Sequence, residues 1–229
     1  MRFRVDVAAD KDVLDWDDVH GPARGVVYHL LRSQDPELAT MLHDSGWQGH
    51  PLRPVAISPP LFRKTKPRKG LYTTSSEGEV WLGSPIPRIA GCLLAALAGV
   101  EKLRWGGVTL SIKGVRMVKT PDHSSGEAVF SSVSPVLVRH EGRYLMPDEP
   151  HFVERIVHNI RHKADMLGLP SDVQAEVLDA GPRRLFNVQK EKRVGATVKM
   201  RIAAAPALLD ALYDWGLGVC SIQGFGWIR

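Results

Sequence analysis

An order of local patterns that occurs twice along the chain does most to restrict how it can fold. Residues 2–8 alternate polar and apolar, with Phe3, Val5 and Val7 in phase, which predicts a half-buried strand. Residues 10–18 are acidic and turn-like. Residues 21–32 then set Val26, Val27, Leu30 and Leu31 at helical spacing; 33–35 interrupt them, and Pro36 opens a second helical segment through Leu42. Residues 55–58 and 70–74 are short strand candidates, 79–83 is another extended piece, 85–98 is a helix, and 108–118 alternates again. Strand, helix, strand pair, helix, strand is the ferredoxin-like order, an antiparallel sheet with two helices on one face.

After a polar, glycine-bearing linker at 120–126 the order returns. Residues 128–138 read as one or two strands and 143–146 as a hairpin partner. Residues 150–167 form a helix with Val153, Ile156, Val157 and Ile160 on one stripe. Strands follow at 172–178, 184–189 and 194–203, with Glu191, Lys192 and Arg193 at a hairpin tip. A helix at 206–215 then leads to a glycine-rich loop and a final strand within 219–229. The halves share element order rather than residues. The expected fold is therefore α+β, with two tandem ferredoxin-like (RNA-recognition-motif-like) domains at 1–119 and 127–229.

Composition narrows the class. With 229 residues, 44% hydrophobic and 24% charged, the chain can bury a core and is not globally disordered. Its formal charge of +5 favours a polyanionic partner, nucleic acid being the commonest. Cys92 and Cys220 lie far apart and outside any metal-ligand spacing, so no disulfide scaffold, zinc site or other cofactor is expected. The longest apolar stretch, 89–100, is too short to span a membrane. Met1-Arg2-Phe3-Arg4 runs straight into a strand with no signal-peptide pattern, so a cytoplasmic protein without a membrane partner is expected.

The C-terminus reads Gly216-Leu217-Gly218-Val219-Cys220-Ser221-Ile222-Gln223-Gly224-Phe225-Gly226-Trp227-Ile228-Arg229. Two Gly-x-Gly pairs follow a helix directly. Glycines let backbone amides approach a phosphate closely; the alternative is a tight turn packed against a strand. The pattern is neither a P-loop nor a Rossmann fingerprint, since it lacks the Lys-Ser/Thr ending and no strand feeds it. At the end of a second ferredoxin-like domain it resembles the glycine-rich loop of the RAMP superfamily of CRISPR-associated proteins. Within that superfamily the chain is similar to the sixth-numbered Cas family, the repeat-cleaving endoribonucleases. Further likeness lies in Met1-Arg2-Phe3-Arg4, in the helix with Gly25-Val26-Val27-Tyr28, and in Leu38-Ala39-Thr40-Met41-Leu42-His43.

The resemblance implies cleavage of CRISPR repeat RNA without a metal. The 2′-hydroxyl attacks its own phosphodiester, leaving a 2′,3′-cyclic phosphate and a 5′-hydroxyl. The protein moves two protons and stabilises the phosphorane. It places the family's catalytic histidine on His43, as base or acid, and its tyrosine on Tyr28. The lysine that some members carry a few residues later is absent; His50, Arg53, Lys64 and Lys66 are the alternatives for its role. RNA contacts are expected from Gly216, Gly218, Gln223, Gly224, Phe225 and Gly226. The basic loop at 63–69 (Lys64, Lys66, Arg68) and the basic hairpin (Lys190, Lys192, Arg193) add candidates. A rival reading is a non-catalytic RAMP-type subunit that holds guide RNA beside other subunits of a CRISPR effector complex.

Overall fold

The computed structural model describes residues 1–66 and 68–229, so Pro67 of the basic loop at 63–69 lies outside the described residues. In the first half the strands are β1 (Arg2–Ala9), β2 (Val13–Leu14), β3 (Ala56–Ile57), β4 (Leu61–Phe62), β5 (Tyr72–Thr73), β6 (Gly78–Gly83), β7 (Lys102–Trp105) and β8 (Val108–Val118). Its helices are α1 (Trp16–His20), α2 (Ala23–Gln34), α3 (Pro36–Asp44) and α4 (Pro87–Gly99). The alternation of β1 decides its place: Phe3, Val5 and Val7 are all buried, and both strand edges are paired. Val5 sits opposite Val80 of β6 and Val115 of β8, both antiparallel. The sheet order β3-β6-β1-β8-β7 puts the first strand between the third and the fourth, the ferredoxin-like arrangement. Apolar residues of α2 and α4 (Val27, Leu31, Ile89, Leu93) close over the same face as Phe3 and Val5.

The second half contains β9 (Glu127–Ser131), β10 (Val138–His140), β11 (Arg143–Leu145), α5 (Phe152–Leu167), β12 (Val173–Ala180), β13 (Arg184–Val188), β14 (Glu191–Gly195), β15 (Val198–Ala204), α6 (Pro206–Trp215) and a 3-10 turn at Ser221–Gln223. Its sheet runs β12-β15-β9. The expected final strand is reduced to a bridge between Ser132 and Ile228. Reciprocal bonds between Ser131 and Arg229 (2.9 and 2.8 Å) still occupy the fourth strand's place beside β9. The glycine-rich loop uses the chain up to Gly226, leaving three residues to pair. The fold is a double ferredoxin-like one.

Two local expectations shift. The tip of the basic hairpin is Gln189-Lys190, both in the left-handed region (φ 52° and 67°), the geometry of a two-residue turn. Glu191, Lys192 and Arg193 therefore belong to β14. The stretch 194–203 is not one strand: the chain leaves the hairpin at Gly195 and enters the main sheet at Val198.

The halves meet through buried side chains. Ala56, Trp215 and Trp227 cluster with Leu52 and Trp81. Arg2 lies between the rings of Tyr213 and Trp227, at 3.6 and 4.1 Å, and donates to the Ile228 carbonyl at 2.7 Å. Burial pushes its pKa down to about 10. The terminal amine of Met1 is ion-paired with Asp214.

Candidate active site

Between the halves lies a cleft of about 410 Å³. One wall comes from α2 and α3. Tyr28 stands on the buried stripe of α2 beside Val27 and Leu31, 5% exposed. Helix α3 starts where Asp35 caps the Leu38 amide (2.9 Å) and Pro36 supplies a preset φ. That amide bond, with the bond from Arg88, holds the Asp35 carboxyl below its ordinary pKa. Two turns later, in the last turn of α3, stands His43, whose side chain is half exposed and whose Nδ1 lies 2.8 Å from Asp44 Oδ1. The tyrosine and imidazole rings meet edge-on, centroids 5.2 Å apart.

Arg53 ties this pair together. Its Nε donates to the Tyr28 hydroxyl (3.2 Å), and one terminal nitrogen donates to the His43 carbonyl (2.6 Å). The tyrosine hydroxyl in turn donates to the Leu42 carbonyl at 3.3 Å. Trp215 of the other half donates its indole N–H to the Arg53 carbonyl at 3.0 Å. The opposite wall is the stretch from Gly218 to Gln223. There the Gln223 Oε1 is buried with no partner among the described residues. Lys163 of α5 closes the floor; its Nζ donates to the Gly216 carbonyl at 2.8 Å and sits 4.7 Å from the Trp215 ring. Burial pushes its pKa down to about 7. A histidine, a tyrosine, an arginine and a glutamine thus line one space, enough for proton transfer beside a bound anion.

Residues 118–229 match the family model described as CRISPR associated protein Cas6, C-terminal. The CRISPR-associated endoribonuclease Cas6 of Pyrococcus furiosus is 25% identical over 215 residues, covering 90% of this chain and 80% of that protein. The second half of the chain thus matches the C-terminal region of Cas6 proteins. The fold agrees: the structure of a Cas6-related protein from Pyrococcus furiosus superposes with a TM-score of 0.84 at 16% identity, covering 100% of this chain and 97% of that one. A RAMP protein binding different RNA substrates gives a TM-score of 0.83 at 20% identity, over 100% and 98% of the two chains.

Against this Cas6 fold the sequence candidates divide. His43, Tyr28, Gly218 and Gln223 line the cleft. His50 does not; it closes a tight turn, its amide donating to the Trp47 carbonyl at 2.9 Å, and points into solvent outside the cleft lining. Of the alternatives for the missing lysine, Arg53 is the one in contact with both His43 and Tyr28. Lys64, Lys66 and Arg68 are exposed and away from the cleft lining, with Lys64 paired to Glu77 at 2.6 Å. Lys190 and Lys192 border a separate cavity that also holds Asp17 and Asp18. Arg193 is ion-paired with Glu191 and donates to the Tyr144 hydroxyl at 3.2 Å. The tip of that hairpin reaches the cleft through Gln189, which accepts from Arg24 of the cleft wall at 2.8 Å.

The other loop residues turn inward. Phe225 is 0% exposed and stacked on His20, centroids 4.0 Å apart and planes within 6°. Gly216 and Gly226 lie back to back, the Leu217 amide donating to the Gly226 carbonyl at 2.9 Å. Gly224 packs against His20 and Pro59. These residues shape the loop from behind, and its middle faces the cleft. The sequence does not single out Trp215 and offers Lys163 only as part of a basic group with Arg161 and His162, although Lys163 falls on the apolar stripe of α5 with Ile156 and Ile160. That spacing separates it from its exposed neighbours Arg161 and His162. No helix among the described residues is long and apolar enough to cross a membrane.

Proposed function

We propose that this protein is a metal-independent endoribonuclease that cuts CRISPR precursor RNA within its repeats. The products carry 2′,3′-cyclic phosphate and 5′-hydroxyl ends. The observation that carries this reading is the convergence of His43, Tyr28 and Arg53 on one cleft faced by the glycine-rich loop. The Pyrococcus furiosus relative, an endoribonuclease, points the same way.

RNA brings its own nucleophile, so the protein's work is proton transfer and charge stabilisation. The 2′-oxygen attacks phosphorus as its proton leaves, and the 5′-oxygen departs as it gains one. The half-exposed His43 imidazole, at the mouth of the cleft, serves one of these transfers. Arg53 places a fixed positive charge at the pair, in the role that the absent lysine leaves open. Tyr28, whose hydroxyl accepts from Arg53, orients both. Gln223 offers an acceptor for a ribose hydroxyl or base amino group.

The test is end-labelled repeat RNA incubated in EDTA with wild-type protein and with His43→Ala. We expect one cut with a cyclic phosphate end from wild type. For the variant we expect a loss of about 100-fold or more in rate, the scale of a lost general acid or base, with binding retained. Equal cutting by both proteins would remove His43 from the mechanism. Tight binding by wild type without any cut would assign the chain instead to guide-RNA holding within an effector complex.

A further inference from the structure

Beside the cleft, and opening into it, is a second cavity of about 290 Å³ between α5 and the β10 region. Leu52, Asn159, Gly218 and Val219 line both spaces, so the two are continuous. Its polar lining is Arg139, Arg155, His158, Asn159 and His162, with no carboxylate among the lining residues. His158 and His162 are one helical turn apart, ring centroids 4.4 Å and planes at 65°. Arg155 pairs through a terminal nitrogen with Glu154 at 3.3 Å, while its Nε is buried without a partner among the described residues. The Asn159 Oδ1 is likewise buried and unpartnered. Buried polar atoms in folded proteins are nearly always bonded, so a donor and an acceptor left open along one cavity point to a ligand offering both.

We infer that this cavity is a nucleotide subsite for the single RNA strand next to the scissile phosphate. In it Arg139 and Arg155 hold a phosphodiester, Asn159 accepts from a ribose hydroxyl or base amino group, and the histidine pair packs on a base. The inference rests on the reading of the main cleft as the cutting site. A phosphodiester supplies the acceptor that Arg155 Nε lacks, and the attached ribose or base supplies the donor that Asn159 lacks. The small volume suits one unstacked nucleotide rather than a duplex, whose recognition spreads over a wide, shallow groove. Continuity with the cleft through Asn159 and Gly218 lets one strand occupy both.

The test separates binding from cutting. Dissociation constants for repeat RNA carrying a 2′-deoxy residue at the mapped cut site, and so uncleavable, would be measured from low to high salt. The proteins are wild type, Arg139→Ala/Arg155→Ala, His158→Ala/His162→Ala, and Lys102→Ala/Arg104→Ala. The last removes two charges from a different cavity on the first half. Melting curves confirm that each variant is folded. We expect the arginine pair to weaken binding by about tenfold or more and to lower the log–log salt slope by about one to two. The histidine pair should weaken binding with less change in slope. The Lys102/Arg104 control should fall well short of the arginine pair. Equal effects from the two charge-removing pairs would mean that only net charge counts, and unchanged binding by folded arginine and histidine variants would remove the subsite. Either result leaves the proposed cutting activity standing, because that is read separately from wild-type cleavage of all-ribose RNA.

Discussion

A Cβ at Gly226 would land on the carbonyl oxygen of Leu217, at a residue whose φ is +66°. Clash and left-handed backbone act together there, so Gly226→Ala is expected to destabilise by about 3 kcal/mol or more. Gly91, on the exposed face of α4, has nothing within 4 Å of such a carbon, and Gly91→Ala should stabilise by about 0.5–1 kcal/mol. Chemical denaturation of both variants checks the contrast, and a tolerant Gly226 would show that the loop does not need its back-to-back seam. His20 belongs to the same seam. Burial against Phe225 and Phe186 lowers its pKa to about 4, the bond to the Gln223 carbonyl opposing only in part. The folded value lies below the ordinary 6.5, so between these values the unfolded chain binds the extra proton. Stability from this residue is full above pH 6.5 and lost as pH falls toward 4. Between pH 7 and pH 5 the loss is about 2 kcal/mol. His20→Phe keeps a ring on Phe225 and should flatten that part of the profile. Parallel pH curves for wild type and variant would show that His20 titrates freely.

At the scale of elements, the site depends on where α3 stops and on what the next segment does. The cap at Asp35 starts the helix, and its length brings His43 opposite Tyr28. The chain then turns back so that Arg53 bonds to the Tyr28 hydroxyl and to the carbonyls of Pro51 and His43. A lysine keeps the charge but cannot make this fork. Arg53→Lys should therefore lower kcat about tenfold or more while KM changes little. Single-turnover cleavage measures this, and an unchanged kcat would leave Arg53 a purely structural role. Trp215 holds the Arg53 backbone from the other half, so the site is assembled by both.

For the whole molecule we propose the division 1–119 and 127–229, two domains that fold as one unit. The surface between them is apolar at Ala56, Trp215 and Trp227, and Arg2 is buried within the other half's aromatic residues. A single calorimetric transition is expected, with calorimetric and van't Hoff enthalpies equal. Residues 127–229 alone should aggregate, having two tryptophans uncovered. Two separate transitions would show that the interface is weak.

The element order was legible because periodicity, caps and turn residues are local signals. The strands β1 and β8, helix α5 and both ferredoxin-like layouts follow from them. His43 and Tyr28 became candidates only through likeness to a family, since nothing in their own spacing brings a helix end to a buried tyrosine. Residues far apart in sequence were decided only in three dimensions. Trp215 reaches Arg53 across 162 positions, and His20 reaches Gln223 across 203. The four loop glycines were equally compatible with cradling a phosphate and with tight packing. In the structure Gly216, Gly224 and Gly226 pack toward the core, and the stretch from Gly218 to Gln223 lines the cleft. A local pattern states what a segment can adopt; which surface it then covers depends on burial that only the rest of the chain supplies.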